Sequence, residues 1–373
     1  MQCDYFDSST CRSCALMGTP YAEQLAAKEQ AVRGLLAPVV PDATWAPAFG
    51  NRESGFRNKA KLAVGGSIEE PTLGILDRGG NGVDLRHCAL YEPGLAATFP
   101  ALGQFITTAR LAPYNLASRR GELKNLILTH SPDGEVMLRF VLRSQESIAR
   151  IRKHLPGLLA ELPQIVVISA NILPEHKAVL EGDLEIPLTP QQSLSMRVND
   201  TVLNLRPRSF FQTSTPVAAG LYRQAQQWIG NTEAAHAWDL YCGVGGFALH
   251  LAKRGLSVVG VETSEEAVAS AQLSATEADL SQATFVATDS AAYAAKHTAP
   301  DLIVVNPPRR GIGDLADWLQ ASRATHVIYS SCNAESLAKD LTRMPSLPVD
   351  QARLFDMFPQ TSHHEVMVLL VRR

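Results

Sequence analysis

His236-Ala237-Trp238-Asp239-Leu240-Tyr241-Cys242-Gly243-Val244-Gly245-Gly246 decides the fold. Its first seven residues are short and mostly apolar and run into a glycine cluster, which reads as a buried strand entering a tight turn. A helical pattern follows at about 247–254, preceded upstream by another at about 216–230. The alternation then repeats: strands at 257–261, 284–287, 301–305 and 324–328, with a helix at about 264–278. Strands alternating with helices predict a parallel sheet covered on both faces, an α/β, Rossmann-like domain. Two last strands, at about 350–356 and 366–371, have no long helix between them. A terminal antiparallel hairpin is therefore expected on an otherwise parallel sheet.

In such a sheet, ligands and reactive groups gather beyond the carboxyl ends of the strands. The glycine turn at Gly243 and Gly245 lets a ligand approach the backbone, and Glu262 is placed to accept hydrogen bonds from ribose hydroxyls. This is dinucleotide-binding logic, so a nicotinamide enzyme is one alternative. Asp239 inside the strand and the missing third spaced glycine favour S-adenosylmethionine instead. The fourth strand ends in Asn306-Pro307-Pro308-Arg309-Arg310-Gly311. That loop is similar to the Asn-Pro-Pro-aromatic loop of amino-group methyltransferases, but Arg309 stands where the aromatic belongs.

The fifth strand runs out at Tyr329-Ser330-Ser331-Cys332-Asn333. A lone cysteine is more often a buried structural thiol than a catalyst, yet this one shares a sheet edge with the other strand ends. C5 of a pyrimidine is a poor nucleophile. Thiolate addition at C6 turns the ring into an enolate whose C5 can attack a sulfonium methyl. A base must then remove the C5 proton before the thiol leaves. Glu365, in Ser362-His363-His364-Glu365, starts the last strand, and if that strand is antiparallel it lies beside Cys332. An exposed edge-strand carboxylate is the plain alternative, and His363 and His364 are rival bases.

Length and composition set the outer bounds. The 373 residues predict two domains, placed here at 1–205 and 206–373. Net charge is −3, so any nucleic-acid contact must come from a local basic patch. Neither a signal peptide nor an apolar run long enough for a membrane span is present, so a cytoplasmic protein is expected. The six cysteines then read as ligands or catalysts and not as disulfides. Cys3, Cys11, Cys14 and Cys88 form a C-x7-C-x2-C pattern plus one distant thiol, a four-thiolate set for zinc or an iron–sulfur cluster. The uneven spacing favours a [4Fe–4S] cluster.

The remaining N-terminal segment reads as an α+β module, with a helix at 20–37, strands at 126–129, 135–142 and 165–172, and a helix at about 145–160. Short strands are expected within 176–205. Arg57, Lys59, Lys61, Arg119, Arg120 and Lys124 form a candidate basic face for phosphates.

Taken together, Ser209-Phe210-Phe211-Gln212, Asp239 to Gly245, Val261-Glu262, Asn306 to Gly311, Ser330 to Asn333 and His364-Glu365 resemble the S-adenosylmethionine-dependent RNA uracil-C5 methyltransferases. The N-terminal cysteines resemble the iron–sulfur branch that acts on 23S ribosomal RNA. The resemblance covers the whole chain. It implies a class I methyltransferase domain, Cys332 as nucleophile and Glu365 as base. It further implies cofactor contacts at Gln212, Tyr241, Gly243, Glu262 and Asn306, base stacking on Phe210, and a [4Fe–4S] cluster on Cys3, Cys11, Cys14 and Cys88. Asn306 stands where an Asp is commoner. A monomer acting on an unpaired 23S rRNA uridine is expected. A tRNA or other rRNA uridine, a cytosine-C5 or amino-group methyltransferase, and a non-enzymatic RNA-binding assembly factor are the alternatives.

Overall fold

A computed structural model of the chain describes residues 1–176, 179–230 and 232–372. The chain forms two compact units. One holds residues 2–12 and 54–196, the other Met1, residues 13–53 and the chain from Arg197 onward. The chain therefore passes between units more than once, where the sequence reading placed one boundary at 205/206. The reason is the helix Tyr21–Leu36, whose Val32 and Leu36 join the same apolar core as Val327, Tyr329 and Leu337.

The N-terminal unit is built on strands β1 (Lys59–Gly66), β2 (Pro71–Leu76), β3 (Gly82–Asp84), β4 (Leu123–His130), β5 (Val136–Leu142), β6 (Ile165–Ile172) and β7 (Leu184–Pro187). They lie in the order β3-β2-β1-β4-β5-β6-β7. Only β5 and β6 are parallel, joined across the helix Ile148–Glu161. Period-2 alternation places Leu62, Leu126, Leu138 and Phe140 in the apolar core with the helix Phe99–Thr108. The opposite face is polar. There Arg139 is buried and held by both carboxylate oxygens of Glu185, at 3.0 and 2.6 Å, and by Glu181 at 2.7 Å. Of the short strands expected within 176–205, residues 177 and 178 lie outside the described residues. β8 (Leu194–Val198) and β9 (Thr201–Leu205) form a separate two-stranded sheet.

The second unit carries β10 (His236–Leu240), β11 (Ser257–Glu262), β12 (Ala283–Ala287), β13 (Leu302–Val305), β14 (His326–Ser331), β15 (Val349–Phe355) and β16 (Glu365–Val371). Their order is β12-β11-β10-β13-β14-β16-β15. The first five strands are mutually parallel. β16 runs antiparallel to both β14 and β15, which is the expected terminal hairpin. Short helices at Ser290–Ala294, Leu315–Ala321 and Ala334–Thr342 complete the crossovers. The first two are too short to show a clear helical period in sequence, whereas Ala334–Thr342 is amphipathic, with Leu337 and Leu341 on its buried side. The order reverses at β10, with β11 on one side and β13 on the other, and opens a crevice beyond their carboxyl ends.

Candidate active site

Four strand ends meet at that crevice. After β10, the chain turns through Tyr241 at φ 64°, Gly243 at φ 53° and Gly245 at φ 82°. A left-handed backbone is strained for tyrosine, by about 1–3 kcal/mol, and such residues cluster at functional sites. A Cβ on Gly243 would meet nothing within 4 Å, so the backbone there faces open space. The amide of Gly243 donates to Glu262 Oε2 at 3.2 Å, while Glu262 Oε1 accepts from the amides of Thr263 and Ser264 at 2.8 and 3.0 Å. The Glu262 carboxylate is thereby fixed beside the glycine turn. Behind it, Asp239 is fully buried and pushed up to about 7 by desolvation. Its Oδ2 accepts from the Ala248 amide at 2.8 Å, and its Oδ1 has no hydrogen-bond partner among the described residues. Open backbone, a fixed carboxylate and an under-used buried acid fit the adenosyl and amino-acid ends of S-adenosylmethionine.

After β13, the Asn306 amide donates to the Leu240 carbonyl at 3.4 Å, which sets the Asn306-Pro307-Pro308 loop against the end of β10. Gly311 at φ 84° closes the loop, and a Cβ there would strike Asp340. Asp340 Oδ2 in turn accepts from the Ile312 amide at 2.9 Å and from the Tyr329 hydroxyl at 2.6 Å. Asn333 Nδ2 donates to the Arg309 carbonyl at 2.9 Å. The fourth and fifth strand ends are thus braced together by Asp340, Tyr329 and Asn333, none of which the sequence reading assigned to the site.

Cys332 is half-buried just past β14. Ser331, opposite Val366, is the last paired residue of β14, and the chain bends at Cys332, which lies close enough to Glu365, the first residue of β16, to feel its charge. Glu365 is 3% exposed, which removes the edge-strand alternative. Desolvation pushes its carboxyl up to about 7, opposed by a 2.6 Å hydrogen bond from the Ser330 hydroxyl. The Cys332 thiol is raised by burial and by the Glu365 charge, and lowered by Arg309. Each group is therefore within electrostatic reach of the other. A carboxylate titrating near neutrality is suited to proton abstraction. His364, one residue earlier, alternates to the other side of the strand and is held neutral first by burial. His363 is exposed and edge-on to Phe358.

The remaining sequence candidates fall out differently. Gln212 is half-buried and Phe210 is 70% exposed. The basic face is only partly free. Lys59 is lowered to about 8, first by burial and then by Lys61. Lys61 lies 3.9 Å from Glu181, and Lys124 donates to the Glu175 carbonyl at 2.7 Å while resting on the Tyr114 ring. Period 2 on β1 puts half-buried Lys59 and exposed Lys61 on the polar sheet face, near Glu181. Arg119 and Arg120 remain exposed.

Cys3, Cys11 and Cys88 belong to the same unit. Tyr5 ties their segments together, accepting from the His87 amide at 3.2 Å through its hydroxyl and from the Cys11 amide at 2.9 Å through its carbonyl. The Cys88 thiol is raised by burial and by Cys3 and Cys11. Among the described residues, however, no three Cys, His, Asp or Glu side chains converge as a metal site. A cavity of about 650 Å³ in the N-terminal unit, lined by Glu69, Thr72, Asp84, Arg86 and Gln104 among others, shares no residue with the strand-end site.

A general methyltransferase-domain profile matches residues 237–328, and the tRNA (uracil-5-)-methyltransferase family profile matches residues 291–373. The chain is 50% identical over its whole length to the 23S rRNA (uracil(747)-C(5))-methyltransferase RlmC of Yersinia pseudotuberculosis serotype I (strain IP32953), all of which is covered. It is 48% identical, again with both chains fully covered, to the enzyme of that name from Escherichia coli O139:H28 (strain E24377A / ETEC). Among solved structures, the tRNA (uracil-54, C5)-methyltransferase of Pyrococcus abyssi, in complex with S-adenosyl-L-homocysteine, is similar with a TM-score of 0.80 and 25% identity. The match covers 96% of this chain and 85% of that one. With a class I methyltransferase sheet and full-length relatives at this identity, the chain belongs to the RNA uracil-C5 methyltransferase family.

Proposed function

We propose that this protein transfers a methyl group from S-adenosylmethionine to C5 of an unpaired uridine in 23S rRNA. The observation that supports the reading is a buried Glu365, its carboxyl pushed up to about 7 by desolvation, whose charge is felt by half-buried Cys332 just past the end of β14. Cys332, once its thiol proton has passed to water, would add through Sγ to C6, and S-adenosylmethionine would supply the methyl group to the C5 enolate so formed, leaving as S-adenosylhomocysteine. Glu365 then removes the C5 proton. The C–H electrons restore the C5–C6 double bond, and the thiolate leaves. Glu262 and the Gly243 backbone bind the cofactor, with Gln212, Tyr241 and Asn306 beside them. Asn306 carries no charge and serves as a hydrogen-bonding group, not as a base.

C6 is hidden in a paired helix, so the target base must be flipped out, at a cost of a few kcal/mol. Exposed Phe210 is the stacking surface for it, and Arg119 and Arg120 hold phosphates. We assign RNA binding to residues 1–205 and methyl transfer to 206–373, with the helix Tyr21–Leu36 supporting the latter. The protein acts as a cytoplasmic monomer. The thiolate chemistry of Cys3, Cys11, Cys14 and Cys88 supports a [4Fe–4S] cluster that orders the N-terminal segment. Anaerobic purification should yield iron and sulfide, and zinc without iron would reject the cluster.

The RlmC relatives favour rRNA, whereas the Pyrococcus abyssi neighbour acts on tRNA. Incubation with unmodified 23S rRNA, bulk tRNA and labelled S-adenosylmethionine separates the two. Label should appear as 5-methyluridine in the rRNA alone, and Cys332→Ala should abolish it. Label in tRNA, in cytosine or on an amino group would overturn the assignment.

A further inference from the structure

We propose that Ser330 is a positioning residue for the base, its hydroxyl selecting which oxygen of Glu365 receives the C5 proton. The inference rests on Glu365 being that base. Ser330 pairs with Met367, so its side chain shares a sheet face with Glu365, two residues before Met367 on β16, and Cys332 follows the end of β14 by one residue. Ser330 is fully buried, and its Oγ donates to Glu365 Oε1 at 2.6 Å. Among the described residues, the Glu365 carboxylate receives no other hydrogen bond. Oε1 is therefore engaged, and Oε2 is left to take the proton.

The two adjacent serines have separate tasks. Ser331 Oγ accepts from the Asn333 amide at 3.1 Å and donates to its carbonyl at 3.0 Å, which shapes the turn around Cys332. Ser330 takes no part in that turn. Its neighbours in the strand are Val327, Ile328 and Tyr329, and an apolar β-branched residue would fill its place in the sheet without needing a partner. A buried hydroxyl is costly unless it is hydrogen-bonded, and the partner found here is the acid of the reaction. A hydrogen bond donated to the ionised form also favours that form. Ser330 thereby keeps the base ionisable in a dry setting.

The test uses the full-length protein, unmodified 23S rRNA and labelled S-adenosylmethionine, with methyl transfer followed against pH and the protein–RNA adduct followed on denaturing gels. Ser330→Ala should move the acid limb of the turnover profile upward by about one pH unit, the usual scale for one hydrogen bond to a charged group. At neutral pH it should accumulate adduct that already carries the methyl group, because addition and methyl transfer do not need the base. Ser330→Thr should restore the parent profile. If Ser330→Ala does not fold, the isosteric pair Ser330→Thr and Ser330→Val, differing only in the hydroxyl, should show the same contrast. An unshifted acid limb in Ala or Val variants would overturn the role of Ser330. Glu365→Gln run alongside separates the two readings. Adduct with Glu365→Gln but not with Ser330→Ala rejects Ser330 alone, and no adduct with Glu365→Gln rejects the base assignment itself.

Discussion

Glu365→Gln should make the protein more stable above neutrality while stopping its turnover. The carboxyl of Glu365 is pushed from 4.5 up to about 7 by burial. Every tenfold change in an acidity constant is worth about 1.36 kcal/mol, so keeping this acid ionised in the fold costs roughly 3 kcal/mol. The direction follows from proton counting. Between pH 4.5 and about 7 the folded chain holds a proton that the unfolded chain has lost, so rising pH destabilises the fold across that window and has no further effect above it. Glutamine cannot titrate. The stability of the parent relative to Glu365→Gln should therefore fall by roughly 2–3 kcal/mol from about pH 5 to about pH 8. Urea unfolding of both proteins at half-unit pH steps measures this, with the difference in ΔG plotted against pH. A difference that stays flat across that range would show that Glu365 is not a buried acid with a raised pKa. Its suitability as a neutral-pH base would fall with it.

Three further outcomes are expected. Glu262→Ala removes the carboxylate fixed beside the Gly243 amide. Titration calorimetry with S-adenosylhomocysteine should show affinity falling about 10- to 100-fold, as for a lost pair of hydrogen bonds of about 1–3 kcal/mol, and an unchanged Kd would argue against a ribose contact. Lys28→Met leaves the buried Asp356 carboxylate, 2.7 Å away, without its cation. Denaturant unfolding should lose roughly 3–5 kcal/mol, with much of it regained by adding Asp356→Asn. The double substitution Arg119→Ala, Arg120→Ala should weaken rRNA binding and reduce the slope of log K against log salt by about 1–2. A parallel displacement with the same slope would place the phosphate contacts elsewhere.

Much of the methyltransferase sheet was legible in sequence because its signals are local. Short apolar runs ending in Gly243, Glu262 and Asn306 mark strand ends whatever the rest of the chain does. The hairpin of β15 and β16 followed from a missing helix, and with it the neighbourhood of Cys332 and Glu365. Three features were not legible, each because it depends on distant residues. Lys59, Lys61 and Lys124 read as part of a basic face for phosphates, but Lys59 is half-buried, and Lys61 and Lys124 meet Glu181, the Glu175 carbonyl and Tyr114, contributed by other segments. The brace of Asp340, Tyr329 and Asn333 joins loops that carry no shared motif. Ser330 looked like half of a serine pair, and only the register of β14 against β16 divides its work from that of Ser331.

The helix Tyr21–Leu36 has a consequence for how the molecule is made. Gln24 donates to Gln360 Oε1 and accepts from its amide, and Lys28 bonds Asp356, across 336 and 328 residues of sequence. These contacts hold the segment that leads into Glu365. A helix made among the first residues must wait for almost the last, which at about 5–20 residues per second is of the order of 15–60 s of synthesis. Until then Gln24 has only the nearby Leu16 and Thr19 carbonyls, Lys28 lacks Asp356, and Val32 and Leu36 lack their core. Glu365 stands on β16, the last of the described strands. A chain made only as far as β15 would hold Cys332 but neither Glu365 nor the hydrogen bond that Glu365 accepts from Ser330. The contacts that fasten the helix Tyr21–Leu36 and the strand that carries Glu365 therefore form at the same stage.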